Sequence, residues 1–164
     1  MSTRLTLVLL CSLLLAPAAF AAAHATGDGV LELKGVNGKV TITGQRGAIW
    51  GQLDKGTLRV VDVNPDDNLN AYVSGAVGTA GLDPGVTIYG PGKNIHFRFI
   101  GGKYRFTILG TGIDVTAVGA GQAYLTGDPD QADTGEYAID DGKWQPVPLL
   151  KKLVTFGVQP ATGP

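Results

Sequence analysis

Apolar and polar residues alternate with a period of two along much of the chain. The clearest runs are residues 94–100, 103–109 and 113–117. Every second residue in these runs is apolar: Ile95, Phe97, Phe99, Tyr104, Phe106, Ile108, Ile113, Val115 and Ala117. Because successive side chains of a strand point to opposite faces, this alternation predicts strands with one buried and one exposed face. The intervening polar residues, among them His96 and Arg98, are expected on the exposed face.

Turn-forming residues interrupt the apolar runs at the spacing that is typical of all-β domains. Tight reversals are predicted at Asn37-Gly38, at residues 54–56, at Gly101-Gly102 and at Asp141-Gly142. No sustained stretch has the apolar spacing of a helix. The sequence therefore predicts an all-β fold, an antiparallel β-sandwich or flattened barrel of about 10–12 short strands, with a β-solenoid as the alternative.

The strands are predicted to form two groups within a single domain, residues 26–158. Residues 28–63 form the first group and residues 93–147 the second. The irregular crossing between them, residues 64–92, is rich in Pro, Gly, Asn and Asp. Two separate domains of about 50 residues without a disulfide would be marginal for independent folding. Residues 159–164 are predicted to be a disordered tail.

The first 25 residues have the three parts of a secretory signal peptide. Arg4 supplies a positive charge, residues 5–15 are almost entirely apolar, and small residues follow Pro17. Cleavage after Ala25 is the favoured interpretation, and cleavage after Ala21 is the alternative. The sequence thus predicts a protein that is secreted or held in the periplasmic-envelope space, with no transmembrane segment after signal cleavage.

The composition of the mature chain excludes disulfide bonds and offers little net charge to attract a partner. The full chain has 13 basic and 14 acidic residues and a single cysteine. Removal of residues 1–25 takes away Arg4 and Cys11, so the mature chain has a net charge of −2 and no disulfide. A charge balance this close to neutral provides no general attraction for phosphate backbones, and nucleic acid is not an expected partner.

Side chains with catalytic chemistry are sparse. His96 is the only histidine and Ser74 the only serine of the mature chain. Ser74 lacks the flanking Gly-x-Ser-x-Gly pattern that exposes a nucleophile. Carboxyl groups that a glycosidase could use are available at Asp62, Asp114, Asp128, Asp130, Asp133 and Glu136. Most of these six lie in or beside predicted turns, where Asp hydrogen-bonds to the local backbone, and Asp114 inside a strand is the exception among them. No residue is therefore assigned a catalytic role.

Trp50 is the candidate ligand-binding residue. Ile49 and Leu53 are predicted on the buried face of their strand, which places Trp50 on the exposed face beside Gly51. A flat, apolar indole on such a face is a platform for a sugar ring or for another protein. Burial beneath a loop or against a second sheet is nevertheless the favoured interpretation, since large aromatic side chains usually find cover.

No cofactor is predicted, and two acidic loops are kept as candidate calcium sites. Their oxygen-bearing residues are Asp62, Asn64 and Asp66 in the first loop and Asp128, Asp130 and Asp133 in the second. The first three have the spacing of positions 1, 3 and 5 of an EF-hand loop. Asp67 and Val73 replace the glycine and the glutamate of that motif. Ordinary polar turns are the favoured interpretation of both loops.

Two stretches of the chain resemble segments of short exported bacterial proteins of unknown function, mostly actinobacterial. The first runs from Gly47-Ala48-Ile49-Trp50-Gly51 to Val61-Asp62-Val63-Asn64-Pro65, and the second runs from Lys103-Tyr104-Arg105-Phe106 to residues 110–119. These are strand and turn motifs. The resemblance implies export and an all-β fold, and it implies no activity, cofactor or functional residue.

Together these observations predict a secreted or cell-envelope β module that is not catalytic. It would bind a protein or a glycan at the cell surface, or have a structural role there. The alternative is a small secreted hydrolase that acts on glycans with the help of carboxylates or calcium. The first interpretation is favoured because the mature chain lacks the usual sets of nucleophile, base and metal ligands.

Overall fold

A computed structural model describes residues 28–64, 70–81 and 83–157. The predicted signal peptide and the predicted tail lie outside these residues. The described residues form eight strands: β1 Gly29–Asp62, β2 Asn70–Ser74, β3 Gly78–Ala80, β4 Val86–Ile100, β5 Tyr104–Gly127, β6 Glu136–Ile139, β7 Gln145–Pro146 and β8 Lys152–Phe156. Within the described ranges there is no helix, and so none that could cross a membrane. The prediction of an all-β fold is confirmed.

The strands form one antiparallel sheet with the order β2-β4-β1-β5-β8. The short strands are added at its margins, β3 beside β4, β6 beside β1, and β7 beside β6. Every pairing among the described strands is antiparallel, which excludes the parallel β-solenoid. The sheet keeps open edges and does not close into a barrel.

The two longest strands, β1 and β5, pair with each other twice. Thr41 of β1 faces Thr107 on one side and Tyr124 on the other, and both partners belong to β5. Thr107 in turn lies between Thr41 and Arg59, which is further along β1. Two straight strands would meet only along one side. The strands therefore coil past each other, and the sheet folds over into two facing layers.

Each long strand contributes to both layers. The first layer consists of residues 38–44, 56–62, 86–90, 104–110, 121–127 and 152–156, and the second of residues 29–36, 47–55, 70–74, 93–100, 111–119 and 136–139. Neighbouring strands pass from one layer to the other at matching positions and stay paired. The segments that the sequence predicts as separate short strands are therefore parts of long, bent strands.

Glycines mark the bends of β1. Gly38 and Gly56 both have positive φ angles, of 145° and 152°. A Cβ atom would lie 2.2 Å from the carbonyl oxygen of Thr126 at Gly38, and 2.1 Å from that of Leu109 at Gly56. Only glycine permits this close approach of backbones. The predicted reversals at Asn37-Gly38 and at residues 54–56 are therefore wrong, because the chain bends there and continues in the same strand.

The other two predicted turns have different outcomes. Asp141-Gly142 does join a hairpin, since Tyr137 of β6 faces Gln145 of β7. Gly101-Gly102 also turns the chain, but it leads from β4 to β5, which are separated in the sheet by β1. This turn therefore carries the chain from one layer to the other and does not form a hairpin.

The segment predicted as an irregular crossing contains regular strands. β2, β3 and the start of β4 all lie within residues 64–92. β2 and β3 pair only with β4, at the margin of the sheet, and most of their residues are exposed or half-buried. Strands in this position cover little of the core, so they need few apolar residues and give a weak sequence pattern.

The two strand groups share one hydrophobic core. All nine apolar residues named from the alternation are buried, together with residues of β1 such as Leu31 and Leu58. Phe106 lies among other aromatic rings, with its centroid 4.7 Å from that of Phe99 and 4.6 Å from that of Tyr104. Residues distant in the sequence therefore stabilise each other in a single cluster.

Tyr104 is the one buried tyrosine of this cluster whose hydroxyl finds no hydrogen-bond partner among the described residues. Burial raises the pKa of Tyr104 from 10.0 to about 12. In the window between these values the unfolded chain ionises and the folded chain does not, so the stabilising effect of this residue decreases as the pH rises. We expect Tyr104→Phe to remove that alkaline loss and to raise the unfolding free energy at pH 7 by about 1 kcal/mol.

Chemical denaturation of both proteins at pH 7 and pH 11 measures this effect. Tyr72→Phe is the control, because Tyr72 is 62% exposed. If Tyr104→Phe and the unmodified protein lost the same stability between the two pH values, the hydroxyl of Tyr104 would not be responsible.

Candidate functional site: a groove around Trp50

Trp50 lies on the outer face of the second layer and is 39% exposed. It faces Arg98 of β4 on one side and Thr116 of β5 on the other. On the far side of Arg98 lies Tyr72 of β2. These four residues form a row across four strands, with the two aromatic residues separated by two strand spacings, about 10 Å. The structure thus places Trp50 on the exposed face, as its alternation with Ile49 predicts.

A second row lies on the same face, two residues away from the first row along each strand. Gln52 faces His96 on one side and Asp114 on the other. Ser74 of β2 faces His96 in turn. Residues two positions apart in a strand are about 7 Å apart on the same face, so the polar groups of this row lie next to the aromatic residues of the first row.

The two rows border a shallow groove with a volume of about 760 Å³. The residues that line it are Leu33, Trp50, Gly51, Gln52, Asn70, Tyr72, His96, Phe97, Arg98, Ile100, Asp114, Val115 and Thr116. Core residues therefore support the groove from below, while aromatic, cationic, amide and carboxylate side chains surround its opening. This combination of an apolar surface and a few polar groups is typical of small-ligand sites.

The carboxylate of Asp114 is held in place by hydrogen bonds. The main-chain N–H of Gly35 donates to Oδ1 at 2.7 Å, and Nε2 of Gln52 donates to Oδ2 at 3.0 Å. The second bond fixes the orientation of the Gln52 amide, and Oε1 of Gln52 is then the acceptor atom that this amide offers to a ligand. The groove therefore presents acceptors on Asp114 and Gln52, and donors on Arg98 and His96.

The groove does not assemble the hydrolytic arrangements considered from the sequence. In a Ser-His-Asp triad the histidine contacts both partners, whereas here Gln52 lies between His96 and Asp114. A glycosidase uses a pair of carboxyl groups. Of the described residues that line the groove, Asp114 alone has one.

The candidate calcium ligands lie away from this groove. Three of them accept a hydrogen bond from the main-chain N–H two residues further on: Asp62 from Asn64, Asp128 from Asp130, and Asp133 from Gly135, at 3.1, 3.0 and 2.9 Å. This is the local pattern of an Asx turn. Asp66 lies outside the described residues. Among those that are described, no group of three or more His, Cys, Asp or Glu side chains is placed to hold a metal ion, and the calcium sites stay a prediction.

The sequence pattern indicated Trp50 but not its partners in the groove. The exposed positions of His96, Arg98 and Asp114 follow from alternation. Their proximity to Trp50 does not, because it requires β1 to lie between β4 and β5. Tyr72 lies within the predicted crossing. The strand-like pattern of the residues around it was the one feature of the sequence that indicated a strand there.

Comparison with known proteins gives no match to a family model, to a curated protein or to a solved structure. Function is therefore inferred from the position and chemistry of the groove's own residues.

Proposed function

We propose that this protein is a non-catalytic binding module, exported to the extracellular or envelope space, and that the groove around Trp50 binds a glycan. The observation that supports this most directly is the row formed by Tyr72, Arg98 and Trp50. Two large aromatic side chains are left 62% and 39% exposed there, although aromatic residues usually find cover in a folded protein.

The chemistry of the groove matches that of a sugar ring. The C–H groups on one face of a pyranose are apolar and pack against a flat aromatic ring, as other apolar surfaces do. Its hydroxyl groups both donate and accept hydrogen bonds. Arg98 and His96 supply donors beside Trp50, and Asp114 and Gln52 supply acceptors. One sugar ring on Trp50 would thus meet polar partners in the adjacent row.

A glycan fits the groove better than a protein surface does. Aspartate is depleted at the centres of protein–protein interfaces. Here the carboxylate of Asp114 is part of the groove's lining, close to Trp50. The groove is also shallow and bordered by separate polar side chains, which suits a narrow polar ligand. A glycan at the cell surface is therefore the proposed partner.

Trp50→Ala tests this function. A glycan array probed with residues 26–164 identifies a binding glycan, and titration calorimetry then compares the variants. We expect Trp50→Ala to weaken binding at least tenfold, because it removes the apolar platform; this is a loss of about 1.4 kcal/mol or more. Trp144→Ala is the matched control. Trp144 is similarly exposed, at 44%, but does not line the groove.

Two results would contradict the proposal. One is equal binding by the Trp50→Ala variant and the unmodified protein. The other is release of new reducing ends from the bound glycan, which would show a hydrolase.

A further inference from the structure

A second groove lies on the outer face of the first layer, with a volume of about 540 Å³. It follows residues 38–44 of β1, with β5 on both sides. The lining residues are Lys39, Thr41, Thr43, Arg105, Gln122, Tyr124, Thr126 and Lys151. Three of these side chains are cationic, and none of the described residues that line this groove is acidic. It is therefore a locally positive site on a protein whose overall charge is slightly negative.

The three cations are not used in ion pairs within the described part of the chain. The two pairs found there join Arg46 to Asp28 and Arg59 to Asp83. Nζ of Lys151 lies 4.0 Å from the centroid of the Tyr124 ring. This cation–π contact holds one charge above the groove without neutralising it. The positive charge therefore remains available to a ligand.

The cations lie at opposite ends of the groove. Arg105 is beside Thr43, its cross-strand neighbour. Lys39 is four residues from Thr43 along the same strand, about 13 Å away in an extended chain. Lys151 is near the Lys39 end, because the adjacent Lys152 faces Leu125. A single compact anion would meet only one end, whereas a chain with regularly repeated negative charges would meet both.

The groups between the cations favour a carbohydrate chain. Thr41, Thr43 and Thr126 present hydroxyl groups, and Gln122 presents an amide, all of which pair well with sugar hydroxyls. A single-stranded nucleic acid instead needs a series of aromatic rings on which successive bases stack. Here the lining contains one aromatic ring, Tyr124, and Lys151 lies over it.

We propose that this second groove binds an acidic polysaccharide, with Lys39 and Lys151 at one end and Arg105 at the other receiving its negative groups. The hydroxyl and amide side chains between them bind the sugar hydroxyls. This site is on a different face from the groove around Trp50, and the proposal does not depend on the function proposed for that groove.

Binding of oligogalacturonate, measured by titration calorimetry on the full mature chain, tests the proposal. We expect Lys39→Gln/Arg105→Gln to weaken binding about tenfold, since two exposed charge pairs are lost. Binding by the unmodified protein is expected to weaken as salt is added. Lys93→Gln/Lys143→Gln is the control, because it removes the same charge from exposed lysines outside this groove.

Three further measurements separate the proposal from its competitors. Methyl-esterified oligogalacturonate has the same sugars without the charges, and equal binding of both forms would overturn the proposal. Tighter binding to single-stranded DNA or to anionic lipid vesicles would overturn it as well. Trp50→Ala is expected to bind oligogalacturonate normally. Loss of binding in that variant would assign the acidic glycan to the Trp50 groove and leave the second groove without a role.

Discussion

Phe106→Ala is expected to lower the unfolding free energy by about 3–5 kcal/mol. The side chain of Phe106 is completely buried, and its ring lies within 6.5 Å of those of Phe97, Phe99 and Tyr104. Alanine would leave a cavity among side chains held on rigid strands, which limits how far the core can collapse. Urea denaturation followed by circular dichroism measures the change.

Phe106→Leu is the control for this prediction. It keeps most of the buried apolar volume, and we expect it to cost clearly less than the alanine variant. Equal losses for the two variants, or a loss below about 1 kcal/mol for alanine, would show that Phe106 is not central to the core.

Gly56→Ala is expected to be nearly as damaging, with a loss on the order of 4 kcal/mol or failure to fold. The added Cβ would lie 2.1 Å from the carbonyl oxygen of Leu109 and 2.8 Å from Cα of Gly110. Both are backbone atoms of the paired strand, so a side-chain rotation cannot relieve the overlap. The positive φ of Gly56 adds strain for any residue with a side chain.

Gly35→Ala separates overlap from backbone strain. Gly35 also has a positive φ, of 59°, but a Cβ there would meet no atom within 4 Å. We expect a loss of about 1 kcal/mol from the backbone conformation alone. Thermal and urea unfolding of the two variants, measured side by side, gives the difference. Comparable losses would mean that the bend at Gly56 can shift to make room for a side chain.

The alternation of residues predicted which side chains form the core, because burial depends on local strand geometry. It did not predict how the strands connect. Asn37-Gly38 is a favourable sequence for a tight hairpin turn, and the same residues also suit a bend in a continuous strand. Whether the chain reverses at Asn37-Gly38 or only bends there depends on whether residues 31–34 pair with residues 40–43 or with β5 and β6. The partners in β5 and β6 are about 80–110 residues away, and no local pattern in the sequence reports such distant pairing.

Only part of the candidate site could be predicted from the sequence, for the same reason. The exposed face of Trp50 follows from its own strand. The groove follows from strand order, since Tyr72, Arg98 and Trp50 come from three strands distant in the sequence. The second groove was not predicted, because Lys39 and Arg105 reach opposite ends of the same groove only when residues 38–44 lie between residues 104–110 and 121–127 of β5.

The double pairing of β1 and β5 also sets the order in which the molecule can assemble. Gly29 meets Gly119, and Gly38 meets both Gly110 and Gly127. None of these contacts can form until most of the polypeptide has been synthesised. Chains dominated by such distant contacts fold slowly, on a timescale of milliseconds to seconds. The newly made N-terminal half therefore remains without its strand partners until the C-terminal half has been synthesised.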